Sequence, residues 1–304
     1  MSGGITVQCL GRRLHLNHGP IDLIIEAWGE DGEVEAAYAQ AVQAFPAVLP
    51  GLVCELPELR RAMTDAPRLR GPVAQRMTAA CRPHLPNFVT PMAAVAGAVA
   101  DHMLAALNSG RTLSRAYVNN GGDIAFHLVP GEAFDCGIVS DVARPAIDGT
   151  VRLTHHLPIR GIATSGRATK GQGGRSFSLG IADSVTVLAA NAATADVAAT
   201  LIANAVDLPG HPAVGRVPAS ELDPDSDLGQ RLVTIGLGSL DDHEISQALL
   251  YGRQAAEAMR CAGLIAAAFL TLRGRCAVVG DDRALLPASK QEQHQGRRHD
   301  AHCA

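Results

Sequence analysis

Asn119-Asn120-Gly121-Gly122-Asp123 lies between two apolar runs, Ala116-Tyr117-Val118 and Ile124-Ala125-Phe126. That context reads as strand, sharp loop, strand. Two adjacent glycines admit positive φ and let another group come close to the backbone. The amides and the carboxylate beside them put polar groups at the same loop tip. A plain hairpin turn needs only Asn-Gly. The additional Asn, Gly and Asp exceed what reversing the chain demands, so the segment reads as a structural turn or as part of a ligand site.

The rest of the chain places this loop in a sheet. Residues 5–29 alternate apolar and polar about Asn17-His18-Gly19-Pro20, which predicts an opening hairpin ended by Asp31-Gly32. Helical spacing predicts a helix over 33–45. Pro50-Gly51 is read as a break, followed by short helices over 55–64 and 72–82. Pro91 suits the first turn of a helix over 91–108, ended by Ser109-Gly110. Its Ala93, Ala94, Ala96, Gly97, Ala98 and Ala100 allow close approach of a sheet, a helix or a ligand. Strands are expected over 114–119, 123–129, 134–140, 150–156, 160–165, 174–179 and 184–189, then a helix over 192–206. A long loop over 207–230, a helix over 241–261 and strands over 264–271 and 275–279 follow. The order predicts an α+β fold, antiparallel sheets packed with helices. One domain is expected over 1–280, with two intertwined halves as the alternative. The polar segment 281–304 reads as a disordered tail, its His294, His299, His302 and Cys303 offering at most weak metal binding.

Composition removes several classes of function. A chain of 304 residues with 47% hydrophobic content can bury a large core. Net charge is −4 with no basic block in the body, and aromatics make up 3%. Nucleic-acid binding, which needs a cationic face or stacking platforms, is not expected. No run of eighteen apolar residues is read in the sequence, so no membrane span is expected. The start lacks the basic region and apolar run of a signal peptide, which leads to a cytoplasmic expectation. Seven scattered cysteines without C-x-x-C spacing suit reduced thiols rather than a zinc ribbon or a disulfide scaffold.

Two later segments join the glycine loop. Ile162-Ala163-Thr164-Ser165-Gly166 reads as a strand ending in hydroxyls and a glycine. Ala182-Asp183-Ser184-Val185-Thr186-Val187-Leu188-Ala189 leads into Ala195-Asp196-Val197-Ala198-Ala199-Thr200. The order N-x-G-G-D, T-S-G, V-T-V, A-D-x-x-A-T resembles the ApbE-like superfamily, best known for FAD:protein FMN transferases, over roughly residues 90–206. The resemblance implies an FAD or FMN ligand, and magnesium held by Asp196 and Thr200 with backbone carbonyls near the small-residue helix. Two departures stand out. In Met92–Asp101 an alanine, at or near Ala96, occupies the place of the family's lysine. The stretch Arg175–Asp183 lacks the histidine and proline of the family's His-Ile-x-Asp-Pro-x-Thr-Gly segment. The pattern is similar to a cytosolic branch lacking parts of the transferase motifs, for which classical FMN transfer is not expected.

The residues themselves carry further readings. Asp196 and Thr200 lie four apart on an expected helix and share one face. A carboxylate and a hydroxyl so placed can reach one hard cation; the alternative is a helix-surface or capping aspartate. Asp183 could face that metal or cap a turn. Asp101 is a solvated residue or an anchor for the glycine loop. Thr164-Ser165-Gly166 offers amides and hydroxyls to a polar or anionic ligand. Arg167 and Lys170, beside Gly171-Gln172-Gly173-Gly174-Arg175, form a phosphate clamp or a plain surface loop, and the G-K-[ST] ending of a Walker motif is absent. His155, His156 and Ser165 raise a hydrolase reading that the missing G-x-S-x-G elbow weakens. Of Cys54, Cys81 and Cys136, only Cys81 has basic sequence neighbours, Arg82 and His84. The leading reading is a ligand-binding protein or transferase for a small phosphate-containing molecule such as a flavin or nucleotide, with a protein partner. The alternatives are a non-catalytic accessory module and a thiol-based sulfur-transfer protein.

Overall fold

The opening segment folds as two hairpins, not one. Strands β1 (Thr6–Leu10), β2 (Arg13–His18) and β3 (Ile21–Gly29) run antiparallel. In β3 the buried positions Ile21, Leu23, Ile25 and Ala27 alternate with more exposed ones, the mark of a strand with one face on a core. The computed structural model describes residues 4–64, 67–138, 149–166, 177–280 and 286–287.

Helix α1 (Asp31–Ala44) passes through a 3-10 turn, Phe45–Ala47, into α2 (Val48–Leu59). The break expected at Pro50-Gly51 is therefore absent. Pro50 sits in the first turn of α2, where its missing N–H has no intrahelical partner to lose. The joined run Asp31–Leu59 has the length and mean hydropathy of a membrane span by composition alone, although it holds no run of eighteen apolar residues. Ala37, Ala41, Phe45, Val48, Leu52 and Leu59 on its inner side join the core.

Helix α3 (Pro72–Cys81) follows, then a 3-10 turn, Pro91–Ala94, leading into α4 (Val95–Asn108). Next come β4 (Leu113–Asn120), β5 (Asp123–Leu128), β6 (Ala133–Ile138), β7 (Gly149–Thr154), β8 (Gly161–Ser165) and β9 (Ser184–Ala189), then α5 (Ala192–Ala205). The expected 207–230 loop holds β10 (Val214–Pro218) and α6 (Ala219–Leu222). The chain continues through β11 (Leu232–Leu237), α7 (Asp242–Cys261), β12 (Ala267–Leu272), β13 (Arg275–Val279) and β14 (Leu286–Pro287). Residues 177–179 form no strand; Leu179 N donates to Asn204 Oδ1 instead. Residues 174–176, and the rest of the expected tail, lie outside the described residues.

The main sheet has nine antiparallel strands in the order β1-β2-β3-β4-β5-β8-β9-β12-β13. A three-stranded sheet, β14-β7-β6, covers part of one face, and β10-β11 form a separate ribbon. The architecture is α+β. On the helical face, α1 to α4 pack on β2 to β5, and α7 packs on β9 and β12. Helix α5 belongs to both packed groups. Ala192, Ala193 and Val197 face the first, and Ala195, Ala198, Ala199, Ile202 and Ala203 the second.

Two glycines make that central position accessible. A Cβ on Gly97 of α4 would lie 2.2 Å from the Ala192 carbonyl oxygen, and one on Gly161 of β8 would lie 2.1 Å from the Asn191 carbonyl carbon. Backbone therefore packs directly on backbone at the start of α5. Gly97→Ala should cost on the order of 1–3 kcal/mol by overpacking. Urea unfolding at fixed m-value measures it; a variant as stable as the parent would show that the helices separate freely.

Candidate functional site

The loop between β4 and β5 turns at Gly121 (φ 63°) and Gly122 (φ 108°), both in the region favoured by glycine. Asn119 Oδ1 accepts from Gly122 N at 2.8 Å, closing the turn locally. Asn120 is buried and donates from Nδ2 to Ala96 O at 3.1 Å, tying the loop to the first turn of α4. Asp123 starts β5, is 9% exposed, and accepts at Oδ1 from Thr164 N at 3.2 Å. Thr164 Oγ1 in turn bonds to Thr186 Oγ1 at 2.9 Å across β8 and β9.

Helix α5 supplies the second carboxylate. Asn191 caps it, accepting from Thr194 N at 2.8 Å. Asp101 of α4 takes the next orphan amides, Ala192 N at 3.0 Å and Ala193 N at 2.9 Å. One turn on, Asp196 reaches back to α4 and accepts at Oδ2 from Gly97 N at 3.0 Å. The two helices thus exchange carboxylate–amide bonds in both directions. Asp101 anchors α5, in place of the glycine loop for which it was the candidate.

Asn120 and Asp196 are thereby held at Ala96-Gly97, and Asp123, bonded to Thr164, lies close enough to Asp196 to feel its charge. Thr200 lies one turn beyond Asp196 on the same helix side and is partly exposed. Ser165 is partly buried at the end of β8. Gly166 (φ 142°) packs its backbone against Asp183, whose carbonyl oxygen would lie 2.4 Å from an added Cβ. The Asp183 carboxylate accepts from Arg273 N in the β12–β13 turn, so it serves as the turn cap. Arg167, Lys170 and Gly171–Arg175 lie outside the described residues.

Electrostatics marks the same centre. Burial, and then the charge of Asp196, hold the Asp123 carboxyl well above the ordinary carboxylate range. Burial pushes Asp196 up to about 7, opposed by the Gly97 and Ala96 amides and reinforced by Asp101. No lysine or arginine forms an ion pair with either among the described residues. An oxygen-only set of two carboxylates fits a hard divalent cation that keeps waters and ligand phosphates, and suits zinc poorly. No group of three His, Cys, Asp or Glu side chains forms a closed metal cage among the described residues.

Other candidates separate from this centre. Cys81 is buried, its Sγ donating to Thr90 O at 3.5 Å. Burial and then the Asp196 charge push its thiol up to about 12, so its basic sequence neighbours do not activate it. His155 and His156 sit on a turn after β7, their rings 5.7 Å apart, with His155 Nδ1 at 3.0 Å from Leu128 O. Both histidine placements differ from the expected strand. A cavity of about 370 Å³ opens behind Asp101, lined by Arg76, Leu104 and Thr194 among others; it touches the anchor of α5 and not the glycine loop. The role of Asp101 escaped the sequence reading, although Asn191 ahead of an alanine-rich run was a legible helix start.

A family profile described as AbpE bacteria matches residues 6–278. The chain belongs to this ApbE-like family. Among its relatives, a UPF0280 protein of Methanothermobacter thermautotrophicus is 36% identical over 154 residues, covering 50% of this chain and 56% of the relative. One from Methanopyrus kandleri is 34% identical over 185 residues, covering 60% of this chain and 69% of the relative. The chain thus spans little more than half the length of the first. Among solved structures, the flavin transferase ApbE from Vibrio cholerae aligns at 12% identity and a TM-score of 0.46, covering 89% of this chain and 98% of that one. The apo flavinyl transferase ApbE of Pseudomonas stutzeri aligns at 12% and 0.44, covering 91% and 93%.

Two outcomes follow from the geometry. Gly121→Val, placed at φ 63°, should cost on the order of 1–3 kcal/mol in chemical denaturation; no loss would mean that the loop relaxes freely. Asp196 gives a pH signature. Its folded-state pKa lies above the unfolded value, so the folded state binds more protons and stability falls as pH rises from about 4 to about 7. In chelator at pH 7.5, Asp196→Asn should therefore be more stable than the parent by roughly 1–3 kcal/mol. The gain should vanish near pH 4. Burial lowers the pKa of His84, which acts in the opposite sense below about 6.5, and the parent–variant difference removes that common contribution. A pH-independent difference would show that Asp196 titrates normally.

Proposed function

We propose that this protein binds a flavin nucleotide of the FAD class together with magnesium, and that it holds the ligand without transferring FMN to a protein. The carrying observation is the pair Asp123 and Asp196, the first 9% exposed and the second partly exposed, both with carboxyls raised by desolvation and neither ion-paired to a lysine or arginine among the described residues. Such a pair is expensive to bury unless something positive completes it. Magnesium would supply that charge and bridge to the phosphates of the ligand. Asp196 is the residue to hold it, with Asp123 and the Thr200 hydroxyl within the same arrangement. The Thr164 amide and hydroxyl are bonded to Asp123 and Thr186, so Ser165 is the residue of that turn offered to the ligand, and the Gly121-Gly122 backbone leaves room beside it, since nothing lies within 4 Å of an added Cβ at either.

Holding rather than transferring rests on Ala96. Its side chain offers no charge where the family's lysine belongs, and its carbonyl is taken by Asn120. A sulfur-transfer role loses its support with the buried, hard-to-ionise Cys81.

Calorimetry with FAD, in magnesium and in chelator, tests this reading. Binding should weaken by about tenfold or more in chelator, and Asp196→Asn should abolish that difference, in line with loss of one charge-assisted contact. A gel assay with a threonine-containing acceptor domain should show no covalent flavin fluorescence. Equal affinity with and without magnesium would remove the cation from the reading, and robust flavinylation would replace holding with transfer.

A further inference from the structure

We propose that the excursion between α5 and α7 crosses the Asp196–Thr200 stretch of α5, and that its tip, residues 223–231, is a strap that opens as a unit to admit the ligand. The segment belongs to the excursion between α5 and α7, which the site described above does not use. The excursion is attached at the two ends of that stretch, by its β10–β11 ribbon at one and by the strap at the other. At one end, Thr234 N donates to Ser178 O at 2.8 Å, and Arg216 donates to Leu179 O. Leu179 N bonds to Asn204 Oδ1, and Gly180 abuts the Ala203 carbonyl, one turn past Thr200. At the other end, Asp227 accepts from the Thr90 hydroxyl, and the Arg231 guanidinium lies over the Phe88 ring at 3.2 Å from its centroid.

That second end adjoins the carboxylate centre. Thr90 precedes the 3-10 turn that delivers Ala96 and Gly97 to Asp196, and that turn packs on α5. The Thr90 carbonyl holds the Cys81 thiol, which lies close enough to Asp196 to feel its charge. Thr90 is only 3% exposed although it ends an irregular segment, and Asp227 is the partner that satisfies its hydroxyl.

The strap is built to move as one piece. Its own turns are closed by Ser226 N to Asp223 O at 3.0 Å and Gly229 N to Ser226 O at 3.2 Å. It is stapled to α6 by Ser220 N to Gly229 O and Ala219 N to Arg231 O, both 2.9 Å. Among the described residues, the strap's side chains are latched to the Phe88–Thr90 segment by one charge-assisted hydrogen bond and one cation–π contact, each weak enough to break reversibly. Small polar latches on irregular segments are the usual low-stability units of a fold, and such segments gate ligand exchange.

Hydrogen exchange on the full chain tests the latch without a ligand, and FAD binding kinetics in magnesium test the gating, which rests on the function proposed above. Asp227→Ala should raise exchange at amides 219–231 about tenfold, as expected for the loss of one hydrogen bond to a charged group, and leave the β4 and β5 amides unchanged. Thr90→Val should do the same. The double variant should add little to either, because both remove one bond. FAD association and dissociation rates should rise together in Asp227→Ala, with little change in Kd. Unchanged exchange in both single variants, or faster exchange with FAD rates unaltered, would overturn the strap. If the parent binds no FAD, the ligand reading falls by itself, and the exchange data alone uphold or sink the strap.

Discussion

The packing of α4 against α5 without side chains between them governs the molecule. Gly97 sits against the Ala192 carbonyl at a distance that forbids a Cβ, and Gly161 does the same beneath Asn191. This approach brings the amides at the start of each helix within reach of a carboxylate on the other. Asp101 serves Ala192 and Ala193, and Asp196 serves Gly97. The exchange satisfies groups that a helix start would otherwise leave bare. It also fixes the rotation of α5, so that Asp196 faces the loop carrying Asp123. Alanines over most of α5 follow from the same constraint, since the helix is packed on both sides at short range.

The fold was legible in the sequence wherever periodicity was undisturbed. Helices α1, α3, α5 and α7 and strands β4, β5, β8, β9, β12 and β13 lie within a few residues of their expected bounds. Local punctuation misled where context overrode it. Pro50-Gly51 reads as a stop, yet a proline in the first turn costs a helix no hydrogen bond. The excursion hid β10 and α6 because four prolines and short elements leave no period to detect. Length alone hid the span-like run from α1 to α2, for the 3-10 turn at Phe45–Ala47 joins two helices that the sequence reading separates.

The candidate site was legible in part, and the division is physical. The turn at Gly121-Gly122 follows from its own residues, since only glycine takes those φ values at little cost. Asp183 and Asp101 needed the tertiary structure. Each aspartate finds backbone amides some ninety positions away in sequence, Arg273 for one and Ala192 and Ala193 for the other. Spacing along a chain carries no information about such partners. Cys81 shows the converse: Arg82 and His84 are neighbours in sequence, but the end of α3 turns the thiol inward, where burial and not a basic side chain sets its chemistry.

The three aspartates are not equivalent in the amides that hold them. Burial raises the carboxyl of the partly buried Asp101 too, but two helix-start amides oppose the shift. Among the described residues, Asp196 accepts from Gly97 N on α4 and Asp123 from Thr164 N. A core selected for stability alone would place a neutral side chain at either position, because proton uptake by a buried carboxyl already shows that its charge is unwelcome there. On the function proposed above, retaining both acids at one centre exchanges stability for cation binding. In the proposed reading, a proton and a divalent cation compete for the same oxygens. Because the proton must leave first, cation binding at Asp196 strengthens as pH rises through about 7.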